Sequence, residues 1–284
     1  MTILIIGDSC TDVFMYGDIN RLSPEAPVPV FNPRRSVEND GMAKNVAKNV
    51  EALDTTIYTI TNPNSIRKVR YVDEKSNQLV LRVDEHDHCD RIDSELLLSI
   101  QTNKVDLPMN NDAKFDAIIV SDYNKGFLTE DDIQLICESN DNVFVDTKKK
   151  LGNWISQVDY LKINSLEYNE NKKFLSVNPA ILERTIVTMG NRGCLFQGKM
   201  YPTDDVPVKD ISGGKLLKEI YSGFKMLSES FKNFNRNHYE SGKQPMESIL
   251  DACTEAFVTY LVTKLQFTNG MLMVLVHLSK IGFY

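Results

Sequence analysis

The chain contains 284 residues, of which 42% are hydrophobic, and it carries a formal net charge of -7 at pH 7. A chain of this size can bury one substantial core, so we expect a single globular domain over residues 1–284. The negative net charge argues against a nucleic-acid partner, because proteins that bind along a phosphate backbone need a basic face to displace its counterions.

Strands and helices alternate along the sequence, as in a doubly wound sheet. The first element, residues 2–6, follows no basic leader and is interpreted as a buried strand rather than a signal peptide. A helix is predicted over 40–53 from its helically spaced Ala and Val residues, with Asp40 available to cap it. Further helices are predicted over 130–138 and 165–174. The other short apolar runs are typical of strands covered on both faces and span residues 57–60, 117–120, 143–145, 160–163 and 185–188.

A polar ribbon interrupts this alternation. Residues 66–72 and 79–83 carry polar side chains at alternate positions and are joined by a turn at 73–77, which predicts two antiparallel strands. Residues 106–114 are rich in Asp, Asn and Pro and predict a loop. The whole pattern indicates an α/β fold in which helices flank a doubly wound sheet.

Five cysteines are distributed over the chain without CxxC spacing. An odd number of cysteines without CxxC spacing is more typical of reduced thiols in a cytoplasmic protein than of a disulfide framework. The longest late apolar run, residues 271–278, is too short to span a bilayer. We therefore expect a cytoplasmic protein with no membrane partner.

Two segments at strand ends carry a distinctive pattern. Gly7-Asp8 and Asp12 follow the first strand and precede Arg-Leu-Ser-Pro-Glu-Ala-Pro-Val-Pro-Val at 21–30. The sequence Ser-Asp-Tyr-Asn-Lys-Gly at 121–126 follows the strand predicted at 117–120, where open α/β sheets place their ligands. In this order the segments resemble the PfkB, or ribokinase-like, carbohydrate kinases, and most closely their heptose 7-phosphate kinase branch.

The resemblance implies a ribokinase-like sheet with a small β lid, formed by strands near 11–31 and 65–84. It implies an ATP-dependent kinase that transfers the γ-phosphoryl group to the anomeric hydroxyl of a phosphorylated sugar such as heptose 7-phosphate. The cofactors implied are ATP and Mg²⁺. The lid is also a candidate interface for a homodimer.

The substrate-binding residues implied by the resemblance lie on three segments. Gly41 and Asn45 stand in a variant of the family's Gly-Gly-x-x-Asn-x-Ala turn, with Met42 at the second glycine position, and such a turn lets backbone approach sugar hydroxyls closely. The ribbon cations would hold the phosphate of the substrate. Asn45 could instead cap a helix or face solvent, and the ribbon cations could form a solvated charged face. The candidates are Asp12, Gly41, Asn45, Lys68, Arg70 and Asp122.

The nucleotide-binding residues implied by the resemblance follow in later segments. Asn164 and Glu167 match the family's Asn-x-x-Glu motif, whose glutamate acts through water on Mg²⁺, a hard cation that keeps most of its waters and needs only one such carboxylate. The same motif could be a helix cap. Residues 188–193, Thr-Met-Gly-Asn-Arg-Gly, match the turn beside the nucleotide. The candidates are Asn164, Glu167 (also the metal residue), Thr188, Gly190, Asp210 and Gly213.

The sequence departs from the family after Gly213. In relatives a glycine-rich turn there opens a helix that stabilises charge on the transferred phosphoryl group, and its aspartate is the base. Here Gly214-Lys215-Leu216 follows, and residues 214–247 resemble an insertion foreign to the family. Asp251 begins a segment similar to the family's Asp-Thr-Phe-x-Ala-Ala-Phe helix and is the candidate catalytic base.

Two alternatives to an active kinase stay open. Asp251 could be an ordinary helix-surface residue, and the chain would then be a catalytically impaired pseudokinase that binds a sugar or a nucleotide. A dinucleotide-dependent oxidoreductase on a similar sheet is disfavoured, because no GxGxxG follows the first strand.

Overall fold

The computed structural model describes residues 2–51, 55–102, 105–107, 110–113 and 115–201, which form an α/β structure with helices flanking a central sheet. The strands are β1 (Thr2–Gly7), β2 (Ser9–Leu22), β3 (Pro29–Met42), β4 (Thr56–Thr61), β5 (Ile66–Asp73), β6 (Gln78–Glu85), β7 (Val105–Leu107), β8 (Asn110–Ala113), β9 (Ala117–Asp122), β10 (Val143–Thr147), β11 (Tyr160–Asn164), β12 (Thr185–Thr188), β13 (Cys194–Phe196) and β14 (Lys199–Tyr201). The helices are α1 (Ala43–Glu51), α2 (Ser94–Gln101), α3 (Glu130–Ser139), α4 (Ser165–Val177) and α5 (Pro179–Glu183).

The central sheet has the strand order β14-β13-β12-β11-β10-β9-β1-β4. From β12 to β4 neighbouring strands are parallel, and β13 and β14 extend the sheet in antiparallel fashion. Val143 and Val145 of β10 belong to one buried cluster, while Phe144 between them belongs to another. Successive side chains of a strand point to opposite faces, so both faces of the sheet are covered, as the short apolar runs predict.

The carboxyl ends of the parallel strands meet at one edge of this sheet. Gly7 ends β1 with φ +151°, and a Cβ atom there would lie 2.0 Å from the carbonyl oxygen of Ser121 on β9. Only glycine permits this approach. The close contact brings the residues after β1 against the segment that follows β9.

A second sheet has the order β3-β2-β5-β6. β2 pairs antiparallel with β3 and parallel with β5, and β6 pairs antiparallel with β5. The short link from β4 to β5 is fastened to the start of β2 by Asn62, whose Oδ1 accepts hydrogen bonds from the Ser9 N–H (2.6 Å) and hydroxyl (3.2 Å). This contact fixes the position at which the second sheet leaves the central one.

Two local predictions were wrong. Helix α1 begins at Ala43 rather than at residue 40, and Asp40 does not cap it, because residues 39–42 continue β3 and pair with β2. The segment 106–114, predicted as a loop, contains parts of the paired strands β7 and β8, because backbone pairing does not require apolar side chains. Helices α2 and α5 and strands β13 and β14 were not predicted.

None of the helices that the structure describes has the length and the apolar character needed to cross a membrane.

Candidate functional site

Asp8 is a buried carboxylate beside the loop after β9, a position for which no role was predicted. Its Oδ2 accepts hydrogen bonds from the backbone N–H groups of Tyr123 (2.6 Å) and Lys125 (3.2 Å), and its Oδ1 accepts one from Phe127 (3.3 Å). The side chain is completely buried. Asp8 therefore holds the loop after β9 in place, and an acidic residue directly after a buried strand was the available signal.

Asp12 lies on β2 next to Gly41, as the resemblance implies for two sugar-binding residues. Its Oδ1 accepts a hydrogen bond from Arg70 Nη1 on β5 at 2.6 Å, and both side chains are about one quarter exposed. A Cβ atom on Gly41 would lie 2.6 Å from Asp12 Oδ2. Glycine at this position thus leaves room for a carboxylate that solvent can reach.

Met42 and Asn45 complete the turn into α1. Met42 has φ 55°, a left-handed conformation that favours glycine, which accounts for the glycine that relatives carry there. Asn45 is half-buried, and its side chain forms no hydrogen bond within the part of the chain that the structure describes. It does not cap α1 there, so its amide is available to a ligand.

Lys68 and Arg70 occupy the same face of β5, two residues apart. Lys68 is buried, with 9% of its surface exposed, and its Nζ lies 5.6 Å from the centroid of the Tyr123 ring. Arg70 stacks over Phe14 at 5.1 Å while it binds Asp12. A solvated charged face does not describe these two cations, because both contact neighbouring side chains.

Asp122 is buried at the end of β9. Its oxygens accept hydrogen bonds from Thr147 Oγ1, from Lys149 Nζ (3.0 Å) and from the Asn124 N–H (3.1 Å). Burial raises the pKa of Asp122, and the bonds from Thr147 and Lys149 act in the opposite direction. The protein itself supplies partners for this carboxylate, which supports the loop; direct contact with substrate stays a prediction.

Asn164 and Glu167 form a capping box at the start of α4. Asn164 Oδ1 accepts from the N–H groups of Leu166 and Glu167, both at 2.9 Å, and Glu167 Oε2 accepts from the Asn164 N–H at 2.7 Å. Glu167 Oε1 forms an ion pair with Lys148 Nζ. A carboxylate has about four lone-pair positions, so Glu167 can cap the helix and still accept a hydrogen bond from a metal-bound water. The residues present therefore fit the water-mediated role implied for Mg²⁺.

Thr188 and Gly190 lie beside this helix start. Thr188 ends β12 in register with Asn164 on β11, and its hydroxyl donates to the Ile163 carbonyl at 3.4 Å. Gly190 opens a short turn with φ 60°, and within the described residues no atom beyond its chain neighbours lies within 4 Å of the position a Cβ would take. Three further candidates, Asp210, Gly213 and Asp251, lie outside the described residues.

The described cysteines are buried free thiols. Burial raises the pKa of Cys10 to about 11 and that of Cys89 to about 12, with Asp12 and Asp8 respectively adding to the effect. Burial also raises the pKa of Cys137 to about 12 and that of Cys194 to about 11. The reactive thiolate form is therefore suppressed at neutral pH in these four residues.

The chain is similar in sequence to HldE proteins from several bacteria. The chain is 28% identical over 259 residues to the bifunctional protein HldE of Helicobacter pylori (strain J99), covering 74% of the chain and 55% of the relative. It is 26% identical over 266 residues to the HldE of Bradyrhizobium sp. (strain ORS 278), covering 75% of the chain and 53% of the relative. The chain thus spans about half the length of these curated relatives. No protein-family model matches it.

Solved structures share the fold at low sequence identity. Phosphofructokinase-2 from Escherichia coli, in complex with potassium, has a TM-score of 0.52 at 10% identity and covers 78% of this chain and 84% of its own. Arabidopsis thaliana ribokinase, complexed with ribose and ATP, has a TM-score of 0.51 at 10% identity and covers 99% of both chains. The predicted α/β, ribokinase-like fold is confirmed. The chain is therefore similar in sequence to HldE proteins and shares its fold with ribokinase, which agrees with the resemblance noted from its sequence motifs.

Proposed function

We propose that the chain is an ATP-dependent sugar kinase that phosphorylates a phosphorylated sugar, such as heptose 7-phosphate, at the anomeric hydroxyl. The observation that carries the proposal is the arrangement of the candidates along one sheet edge. The Asp12 and Lys68 side of the site contacts the loop after β9, and the Asn164 and Glu167 side follows two strands away, after β11. Sugar and nucleotide could therefore bind side by side with their reacting atoms between them.

The roles follow from this arrangement. Asp12, Gly41 and Asn45 would hold the sugar hydroxyls, and the cations of β5 would attract its phosphate. Glu167 would orient waters of Mg²⁺, which when bound neutralises charge on the nucleotide phosphates. Asn164, Thr188, Gly190, Asp210 and Gly213 would border ATP, and Asp251 would take the proton of the attacking hydroxyl.

We also propose a domain organisation and a dimer interface for the chain. Residues 1–284 would form one cytoplasmic ribokinase-like domain, with a lid near 11–31 and 65–84 and an insertion near 214–247. The second sheet has β3 and β6 at its edges, and Val37, Leu79 and Leu81 on these strands are exposed apolar residues. Exposed edge strands favour association, and Leu79 and Leu81 place exposed apolar side chains on one of them, so the lid is the proposed dimer interface.

An activity assay with heptose 7-phosphate, ATP and Mg²⁺ tests the function, with ³¹P NMR to identify the product. We expect a new anomeric phosphate that forms only when all three components are present. Thermal stabilisation by the sugar phosphate without any turnover would favour the pseudokinase instead. A ligand at 100 times its dissociation constant adds about 2.7 kcal/mol of stability, so the melting experiment is sensitive enough to separate the two.

We expect the sugar phosphate to bind more tightly than ATP in separate calorimetric titrations. The sugar half keeps Asp12, Gly41 and Asn45, whereas the sequence after Gly213 departs from the turn that relatives use for the nucleotide phosphates. Titrations at equal protein concentration give the two dissociation constants directly. Tight ATP binding with no sugar phosphate binding would contradict the expectation.

The Glu167→Gln substitution is expected to raise the Mg²⁺ concentration needed for half-maximal activity by about tenfold or more, as loss of outer-shell metal partners commonly does. Glutamine still accepts the bond from the Asn164 N–H, so the capping box and the melting temperature should be retained. Glu170→Gln, on the exposed side of the same helix, is the matched control. An unchanged Mg²⁺ dependence would assign Glu167 to the helix cap alone.

A further inference from the structure

The charged side chains around the loop after β9 are almost completely paired. Four carboxylates each hold one cation there. Arg70 binds Asp12 at 2.6 Å, and Arg82 binds Asp84 with two hydrogen bonds of 2.7 Å. The other two pairs are Lys125 with Asp87 and Lys148 with Glu167.

Lys68 lies in the same cluster but forms no ion pair with any of these four carboxylates. Its neighbours in register on the adjacent strands are Asp12 and Asp84, and arginines already bind both. Within the described ranges its ammonium has no carboxylate oxygen within 4 Å, although the residue is only 9% exposed. Burying an ammonium group without an anion is costly, and contact with the face of Tyr123 compensates only partly.

A second cation reaches the same aromatic ring from the central sheet. Lys148 Nζ lies 5.7 Å from the Tyr123 centroid, and its side chain is 27% exposed. The next residue, Lys149, points into the protein and binds Asp122 and Asn124 at 3.0 and 2.9 Å. Of these two lysines, Lys148 is therefore the one that an incoming ligand can reach.

We propose that Lys68 and Lys148 together form a phosphate-binding subsite over Tyr123, in place of the Lys68 and Arg70 pair suggested by the sequence. Arg70 is bound by Asp12, whereas Lys68 has no carboxylate partner among the described residues and Lys148 is held by one partly exposed ion pair. The ligand group is a phosphate monoester or a terminal phosphoryl group, whose oxygens can accept from both ammonium groups. The inference rests on the proposed kinase function and names the residues that recognise phosphate within it.

The subsite also joins the two sheets. Lys68 belongs to β5 of the second sheet, and Lys148 follows β10 of the central sheet. A phosphate bound by both would hold the second sheet against the sheet edge and would draw Lys148 away from Glu167. The carboxylate of Glu167 would then be freer to face metal-bound water.

Calorimetric titration with inorganic phosphate tests the subsite on the full chain. Lys68→Met and Lys148→Met should each weaken phosphate binding by about 10- to 100-fold, since each removes a charge-assisted hydrogen bond. Lys150→Met removes an exposed lysine two positions from Lys148 and should leave the affinity within about twofold. No phosphate binding by the wild type, or equal losses in all three variants, would overturn the proposal.

A melting experiment separates a ligand-binding role of Lys68 from a structural one. Because its ammonium has no carboxylate partner within the part of the chain that the structure describes, Lys68→Met should keep or raise the melting temperature while it weakens phosphate binding. Lys68→Arg keeps the charge and should bind phosphate within a few-fold of wild type, which preserves the test if the methionine variant misfolds. A clear fall in melting temperature in both variants would show that Lys68 is structural.

Two further titrations identify the source of the phosphate. If the substrate supplies it, the lysine variants lose affinity for heptose 7-phosphate and keep their affinity for ATP; if the nucleotide supplies it, the pattern reverses. Failure of this inference is distinguishable from failure of the kinase proposal. Full turnover in both methionine variants would reject the subsite alone, whereas phosphate binding that depends on both lysines in a chain without turnover would reject the kinase alone.

Discussion

The Asp8→Ala variant is expected to lose about 3 kcal/mol or more of its free energy of unfolding. The substitution removes the carboxylate that accepts from three backbone N–H groups, that of Phe127 buried and those of Tyr123 and Lys125 partly buried. Each unsatisfied buried group costs about 1–3 kcal/mol. Urea unfolding followed by circular dichroism measures the loss.

Two further variants test whether the loss of stability comes from the hydrogen bonds that Asp8 accepts. Asp8→Asn keeps one acceptor oxygen and should fall between wild type and alanine. Asp141→Ala changes an exposed aspartate between α3 and β10 and should stay within about 0.5 kcal/mol of wild type. An Asp8→Ala variant as stable as the Asp141→Ala variant would show that the loop after β9 does not depend on Asp8.

The sheet was predictable because its strands are buried on both faces. The runs at 2–6 and 117–120 are apolar except for Thr2, and the strands found there extend them by one or two residues. Such runs are typical of strands in a parallel sheet that is covered on both faces.

The end of β3 was not predicted, because the local sequence there favours a helix start. Asp40 has the local chemistry of a helix cap, but its backbone pairs with Thr11 on β2, and a contact across 29 positions leaves no local signal.

The sequence motifs predicted which segments belong to the candidate site, but not which side chains contact one another there. Asp12 and Gly41 were predicted through motif order, and in the structure the glycine leaves space for the carboxylate. The contacts of Asp8, and the role we propose for Lys148, were not predicted because they depend on which strand ends become neighbours. The two interpretations of Glu167 do not exclude each other, since the helix cap and the ion pair with Lys148 use two of about four lone-pair positions of the carboxylate.

The Asp251→Asn substitution is expected to reduce turnover by about 10²- to 10⁴-fold, the usual contribution of a general base. A base must come within about 2.6–3.2 Å of the hydroxyl that it deprotonates, and asparagine fills the same space without accepting the proton. Steady-state rates with saturating ATP and sugar phosphate measure the effect. Binding of the sugar phosphate should change little, because the loss falls on the transition state rather than on the bound substrate.

Glu255→Gln, in the same segment, is the matched control and should keep turnover within a few-fold of wild type. The combination of intact sugar phosphate binding and lost turnover distinguishes a base from a residue that merely supports folding, because a folding defect would weaken binding as well. Equal turnover in wild type and Asp251→Asn would remove the base from the mechanism. The insertion predicted at 214–247 would then separate the chain from the chemistry of its relatives, and phosphate binding without transfer would be the better account of its role.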